Sequence, residues 1–240
     1  MFIIIPLGGT GERFKKEGYN IPKALIKIFN KPILYYLLDN LQLKNIDFIY
    51  IPYNKEYQEY NFENQLKQDY PHISFKFLKL DFNTDGAAHT LNIALKQLDN
   101  IDDQPILSLD SDNYFSIDVI NLWNGQNKII CIHDELDKPI YSYVKINDKN
   151  EIIEIKEKVK ISNNACTGAY GFSSYKELLK YSQIILDKKI KQKNEYYTSN
   201  ILSYMIDENH KFKIDLIEKK EWICLGTPIQ VEEFTHNNYK

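Results

Sequence analysis

The chain has 240 residues, 43% of them apolar and 13% aromatic, and its 30 basic and 33 acidic side chains leave a formal charge of −3. That size suits one domain with a sizeable core, and the balance excludes a disordered polyelectrolyte and disfavours a nucleic-acid partner, which calls for a basic surface. The three cysteines, Cys131, Cys166 and Cys224, include no CxxC pair, so neither a disulfide framework nor a four-thiolate zinc site is expected and reduced intracellular thiols are the simplest reading.

In chain order, Phe2–Ile5 is an all-apolar strand that ends at Pro6. It is too short for a signal core or a membrane span, so a cytoplasmic chain with no membrane partner is expected. Pro32–Leu43 reads as an amphipathic helix, Phe48–Pro52 as a second buried strand, and Tyr57–Tyr70 as another helix. Phe75–Leu80 is strand-like, Ala87–Leu98 carries apolar residues at helical spacing, and Ile106–Leu109 is again a short buried strand. After Asp110 the pattern changes. Lys128–His133, Ile140–Ile146, Glu151–Lys156 and Ala169–Phe172 follow one another as strands with few helices between them. Tyr175–Asp187 and Tyr197–Ile206 read as helices, Phe212–Ile217 and Trp222–Leu225 as strands, and Pro228 opens a last helix.

Strand and helix alternating through the first half predict an α/β fold with a doubly wound, mostly parallel, Rossmann-like sheet whose ligands bind beyond the carboxyl ends of the strands. The second half adds a mixed, partly antiparallel region. No repeat or linker divides the chain, so a single domain over residues 1–240 is expected.

The first strand runs into Leu7-Gly8-Gly9-Thr10-Gly11-Glu12-Arg13-Phe14. Glycines there let backbone N–H groups approach an anion, and Arg13 and Lys23 add positive charge. A Walker loop needs Gly-Lys-Ser/Thr, but Glu12 follows Gly11; a dinucleotide fingerprint needs a small residue where Phe14 stands and an acid after the second strand, where Tyr53-Asn54 stands. Both are excluded. Further on, Ser108-Leu109-Asp110-Ser111-Asp112-Asn113 ends a buried strand with two carboxylates two residues apart. Like charges that close call for a cation, and with no His/Cys set nearby Mg²⁺ suits them better than zinc. His72, His89, His133, His210 and His236 form no spaced ligand set, and no Gly-x-Ser-x-Gly elbow marks a covalent nucleophile.

The composite Gly-Gly-x-Gly-x-Arg-Phe followed by Gly18-Tyr19-Asn20-Ile21-Pro22-Lys23 resembles the opening of the sugar-phosphate nucleotidyltransferases, and the resemblance continues at intervals to Gly226-Thr227-Pro228. It implies the GT-A-like fold of nucleotide-diphospho-sugar transferases, with residues 1–115 as the nucleotide-binding half and 116–240 as the acceptor-binding half. In its terms the backbone of Leu7, Gly8, Gly9, Thr10 and Gly11, with Arg13 and Lys23, holds the triphosphate of an NTP. Asp85-Gly86-Ala87 then contacts the base, a backbone readout that suits a pyrimidine (CTP, UTP or dTTP), with Ser111 also on the nucleotide. Asp112 becomes the first Mg²⁺ ligand and Asp110 the second or an indirect one. Glu157 and Lys158 match the family's Glu-Lys-Pro segment, with Val159 in place of proline, and Lys158 meets the acceptor phosphate. Thr167, Gly168, Glu195, Tyr196 and Tyr197 match acceptor-pocket segments.

One departure stands out. Relatives commonly read Trp-x-Asp-x-Gly-Thr-Pro with the aspartate a second metal ligand, whereas this chain reads Trp222-Ile223-Cys224-Leu225-Gly226-Thr227-Pro228. The expectation is therefore an Mg²⁺-dependent nucleotidyltransferase that joins an NMP to a small phosphorylated acceptor and releases pyrophosphate. The acceptor is a sugar 1-phosphate or another phosphometabolite such as phosphocholine or a phosphorylated amino-acid derivative. Nucleotide-sugar or CDP-conjugate supply, as for capsular or other surface polysaccharide, is the implied setting, and a homo-oligomer stays open. The alternatives are a glycosyltransferase using Asp110-Ser111-Asp112 as an Asp-x-Asp motif, and a non-catalytic nucleotide-binding module made possible by Cys224.

Overall fold

The structure is a computed structural model that describes residues 1–98 and 101–237. Its strands are β1 (Phe2–Ile4), β2 (Lys27–Ile28), β3 (Lys31–Pro32), β4 (Ile49–Asn54), β5 (Phe75–Leu80), β6 (Ile106–Leu109), β7 (Asn113–Phe115), β8 (Lys128–His133), β9 (Ser142–Ile146), β10 (Ile152–Glu157), β11 (Asn164–Phe172), β12 (Lys213–Ile217) and β13 (Trp222–Cys224). The helices are α1 (Glu12–Lys16), α2 (Ile33–Leu38), α3 (Phe62–Asp69), α4 (Ala87–Lys96), α5 (Val119–Trp123), α6 (Tyr175–Asp187), α7 (Thr198–Asp207) and α8 (Pro228–Asn237).

β1 is buried on both sides, and its alternation shows why. Ile3 and Ile5 enter the apolar layer formed with α2, α3 and α5, while Phe2 and Ile4 enter the layer formed with α4, α6 and α7. β5, β4, β1 and β6 are adjacent in that order and parallel. The chain winds outward from β1 through β4 to β5, then crosses by α4 to β6 on the other side of β1. The loops after β1 and β6 therefore meet where the winding reverses, the usual place for a ligand crevice in such a sheet.

Beyond β6 the sheet turns antiparallel. β11 runs antiparallel to β6 through Ala169–Phe172 and to β8 along nearly its whole length, and at Ala165 it pairs instead with Tyr143 of β9. β10 extends β9 antiparallel, and β12 lies parallel on β8. Where β11 passes from β6 to β9 its register with β8 shifts between Cys166 and Ala169, so Thr167-Gly168 forms a bulge facing the end of β6. β13 pairs antiparallel with β7, bringing Cys224 opposite Asn113.

The parallel half, the mixed second half and most element boundaries match the sequence reading, and three spans differ. The helix expected over Tyr57–Tyr70 starts only at Phe62, because Asn61 takes a left-handed φ of 50° and Lys55–Tyr60 coils as a tighter 3₁₀ turn capped by Asn54. The helix expected to Leu43 stops at Leu38, where the Asn40 amide donates to the carbonyl of Tyr36 at 3.1 Å and draws the chain out of the helix. The strand expected from Ala169 begins at Asn164, carried past the bulge by its pairing with β8. The short α1, α5, β7 and the β2–β3 hairpin, each of five residues or fewer, had no periodic signature.

Candidate active site

The turn after β1 is held from beneath by β4. Leu7 donates to the carbonyl of Pro52 at 2.7 Å, Asn54 donates to that of Leu7 at 3.1 Å, and the Asn54 amide donates to that of Gly9 at 2.8 Å. Among the described residues, no protein acceptor receives the backbone N–H groups of residues 8–13, which lead into α1 without a side-chain cap. Orphaned donors at the start of a helix form an anion-binding arrangement. Arg13 stands exposed on α1, with no ion pair among the described residues. It is also the sole arginine, since the other 29 basic residues are lysines. A planar, permanently charged fork at this one position is a compositional signal that spacing analysis overlooks.

Lys23 begins the 3₁₀ turn Lys23–Leu25 and packs on Gly11. Its ammonium donates to Asp112 Oδ2 at 2.7 Å. Burial works against the Lys23 charge, but Asp112, with Cys224 and Asp110 behind it, outweighs that and holds the ammonium above its ordinary range. Burial and the neighbouring Asp112 push the Asp110 carboxyl up to about 7 despite Lys23. The same two causes, burial first, push the Cys224 thiol up to about 12, so it sits beside Asp112 as a neutral group. The segment is fixed by the backbone N–H of Leu225, which donates to the Asp112 carbonyl at 2.7 Å, and by the Trp222 indole, which donates to Asn113 Oδ1 at 2.9 Å. Ser111 between the two acids is buried.

The bulge closes the other side. Asp110 N–H donates to the Gly168 carbonyl at 2.9 Å. Gly168 has φ +83°, and a Cβ there would lie 2.4 Å from Asn113 Nδ2 and 2.6 Å from Asp110 Oδ2, so only glycine fits. The hydroxyl of Thr167 is engaged, donating to the Ile130 carbonyl at 2.8 Å. Glu157 is buried and accepts from the hydroxyls of Ser142 and Ser199, the latter at 2.9 Å. Lys158, at φ +51°, turns its ammonium to within 3.5 Å of Glu157 Oε1 and donates to the Tyr197 hydroxyl at 3.1 Å. Burial first, then Glu195 and Glu157, push the Tyr197 phenol up, while Arg13 acts the other way.

The segment Asp85-Gly86-Ala87 opens α4. The backbone at Gly8 lies against the paired hydroxyls of Thr84 and Thr90, which are 2.6 Å apart, so this segment packs on the glycine turn. Tyr196 is set against it: Tyr196 N–H donates to the Asp85 carbonyl at 2.7 Å, and Ala88 N–H donates to the Tyr196 carbonyl at 3.0 Å. The structure thus brings together the glycine turn, Lys23, Asp110, Asp112, Thr167-Gly168 and the 85–87 segment. It sets Tyr196 beside Gly86 and Glu195 on the exposed turn before it, with Tyr197 as the neighbour of Lys158. The sequence places Tyr197 in the same segment as Glu195 and Tyr196, without indicating that it is the one that meets Lys158.

As a metal site, Asp110 and Asp112 offer hard oxygens, those of Asp110 made more basic by burial first and then by Asp112, and among the described residues no set of three His, Cys, Asp or Glu side chains converges. Such a pair fits Mg²⁺ completed by phosphate oxygens.

Residues 3–238 match the family described as nucleotidyl transferase. The chain belongs to that family. Relatives include a bifunctional sugar-1-phosphate nucleotidylyltransferase/acetyltransferase from Sulfurisphaera tokodaii, 28% identical over 95% of this chain and 53% of that protein. A D-glycero-alpha-D-manno-heptose 1-phosphate guanylyltransferase from Campylobacter jejuni is 25% identical over 66% of this chain and 69% of that one. In fold, the chain superposes on a nucleoside-diphosphate-sugar pyrophosphorylase from Vibrio cholerae with a TM-score of 0.87, at 19% identity over 98% of this chain and all of that one. The family's sheet is the doubly wound, GT-A-like one described above. The chain spans about half the length of most curated relatives it matches. Among the described residues, no helix is long and apolar enough to cross a membrane.

Proposed function

We propose that this chain is an Mg²⁺-dependent nucleotidyltransferase that transfers the NMP of an NTP to a small phosphorylated acceptor, with pyrophosphate as the leaving product. The observation that carries the reading is the Lys23–Asp112 pair at 2.7 Å, set where the unpartnered N–H groups of the glycine turn, the two carboxylates and the Thr167-Gly168 bulge converge. In this reading the turn, Arg13 and Lys23 bind the triphosphate and stabilise charge gathering on the departing pyrophosphate. Asp110 and Asp112 would hold the ion, which supplies Lewis-acid neutralisation between the phosphates when bound. Lys158, steadied by Glu157 and Tyr197, orients the acceptor phosphate for in-line attack on the α-phosphorus. The acceptor brings its own nucleophilic oxygen, so positioning and charge are all that the protein must provide.

A sugar 1-phosphate is the first acceptor to try, in keeping with the names of the relatives, and a pyrimidine nucleotide suits the backbone-lined 85–87 segment. Nucleotide-sugar supply is the matching role. Pyrophosphate release, measured with CTP, UTP, dTTP, GTP and ATP against sugar 1-phosphates and other phosphometabolites, tests the reading. Release that requires one NTP, one phosphorylated acceptor and Mg²⁺ is the expected result, and silence across the panel in an otherwise folded protein would overturn it.

A further inference from the structure

The connection between α6 and α7 is more ordered than its charged composition, Lys188-Lys189-Ile190-Lys191-Gln192-Lys193-Asn194-Glu195, suggests. Gln192 and Glu195 exchange both backbone hydrogen bonds at 3.0 Å across Lys193 and Asn194, whose φ angles are +48° and +66°. Two successive left-handed residues between reciprocally bonded neighbours make a two-residue hairpin turn of the type I′ class.

This hairpin is fastened at both ends to different parts of the site. On one side the Lys191 ammonium donates to Asp85 Oδ2 at 2.7 Å and lies 4.6 Å from the centre of the Tyr196 ring. Tyr196, the residue after the hairpin, is bonded twice to the 85–88 backbone, and a Cβ on Gly86 would come within 2.5 Å of its carbonyl oxygen. On the other side the Gln192 amide donates to the carbonyl of Glu157 at 2.6 Å, one residue before Lys158. Asp85 therefore has both its carbonyl and its carboxylate engaged by the hairpin segment, with its carboxyl held below the ordinary range chiefly by the Lys191 hydrogen bond.

We propose that Lys191 and Gln192 are positioning residues that lock the nucleobase segment 85–87 to the acceptor segment 157–158, so that nucleotide affinity depends on a residue on the acceptor side that is bonded to no part of the base segment. This rests on the nucleotidyltransferase reading above. The hairpin hydrogen-bonds to both segments from one short stretch of chain, and Tyr196 and Tyr197 just after it also reach them, through the Asp85 carbonyl and the Lys158 ammonium. Because the Lys191–Asp85 pair is largely exposed, with side-chain exposures of 31% and 55%, it contributes little to global stability. Its role is then read in binding rather than in melting.

The test is calorimetric titration of the full chain with each of the five NTPs and Mg²⁺ in the absence of acceptor, beside thermal melting. Lys191→Met and Gln192→Ala are each expected to weaken binding of the preferred NTP about tenfold, the usual scale of coupling between sites. Both should narrow discrimination among bases and leave the melting temperature near that of the parent, and Lys191→Arg should restore affinity. In the cycle of Lys191→Met with Asp85→Asn, the double variant should be no weaker than either single one. Parent-like NTP affinity in Lys191→Met or in Gln192→Ala, or strict additivity in the cycle, overturns the lock while leaving the nucleotidyltransferase reading intact. If the unaltered chain binds no NTP, that reading fails and the lock falls with it.

Discussion

At the scale of single residues, the site sets one ammonium and one guanidinium against two carboxylates, and each makes a separate demand. Arg13 is exposed and outside every ion pair among the described residues, and Lys23 is only partly covered, so neither carries the fold. Arg13→Ala and Lys23→Ala are each expected to lower turnover by roughly 10²–10³-fold, the typical loss of a charge partner in a transition state, with unchanged circular dichroism. Near-parental pyrophosphate release by both variants would remove the phosphate assignment. Asp112→Asn should abolish Mg²⁺-dependent turnover, because Asp112 carries the contact to Lys23, whereas Asp110→Asn should only weaken it. Equal activity of Asp112→Asn and parent at saturating Mg²⁺ would refute that order.

Asp110 also gives a sign for pH. Its folded carboxyl is held up to about 7 against an ordinary 3.8, so the unfolded chain loses this proton first as pH rises. The stability contributed by the neutral form is full below about 4, declines between about 4 and 7, and levels off above. With EDTA present, the melting temperature should fall over that window, and Asp110→Asn should flatten the fall. An equally steep fall in Asp110→Asn would show that another group is responsible.

At the scale of elements, the bulge in β11 is the part that most needs its particular residue. Gly168→Ala would force a left-handed φ on a residue with a side chain and drive its Cβ into Asn113 and Asp110. Strain of this kind costs about 1–3 kcal/mol before the overlap is counted, so a melting temperature several degrees lower and loss of turnover are expected. A Gly168→Ala protein with parental melting would mean that the bulge is adaptable.

The same element shows what could be read in advance. Ala169–Phe172 was legible as a strand from its apolar run, but its start at Asn164 was not, because residues 164–168 are held by long-range pairing with β8 and β9 rather than by local pattern. The glycine turn, Lys23, Asp110 and Asp112, which the fold brings together, stood out because glycines, a basic residue and paired carboxylates each follow a strand at short spacing. Lys191 and Gln192 did not. Their contacts are to residues 106 and 35 positions away in the chain, and a lysine among lysines carries no signature.

At the scale of the whole molecule, the two halves of the chain share one sheet through the β6–β11 pairing. Trp123 and Trp222 sit in different elements of the second half, and both are buried against the core that also takes in Ile3 and Ile49 of the first. Urea unfolding is therefore expected to be a single transition, with tryptophan fluorescence and circular dichroism coincident, and Trp123→Phe should leave the remaining Trp222 signal tracking the same curve shape. A Trp222 transition completed at lower urea than the loss of secondary structure would show that the second half of the chain melts alone.

The pairing of β6 with β11 also has a meaning in time. β6 ends at Leu109 and its partner is complete only at Phe172, so a ribosome adding about 5–20 residues per second leaves the apolar edge of β6 open for several seconds after β6 itself has been made. Such an edge is a template for pairing with another chain. Birth of this protein is thus a race between its own later strand and its neighbours on the polysome. A fragment that stops at residue 115 never receives that strand, and it should collect in the pellet whatever the stability of the finished fold.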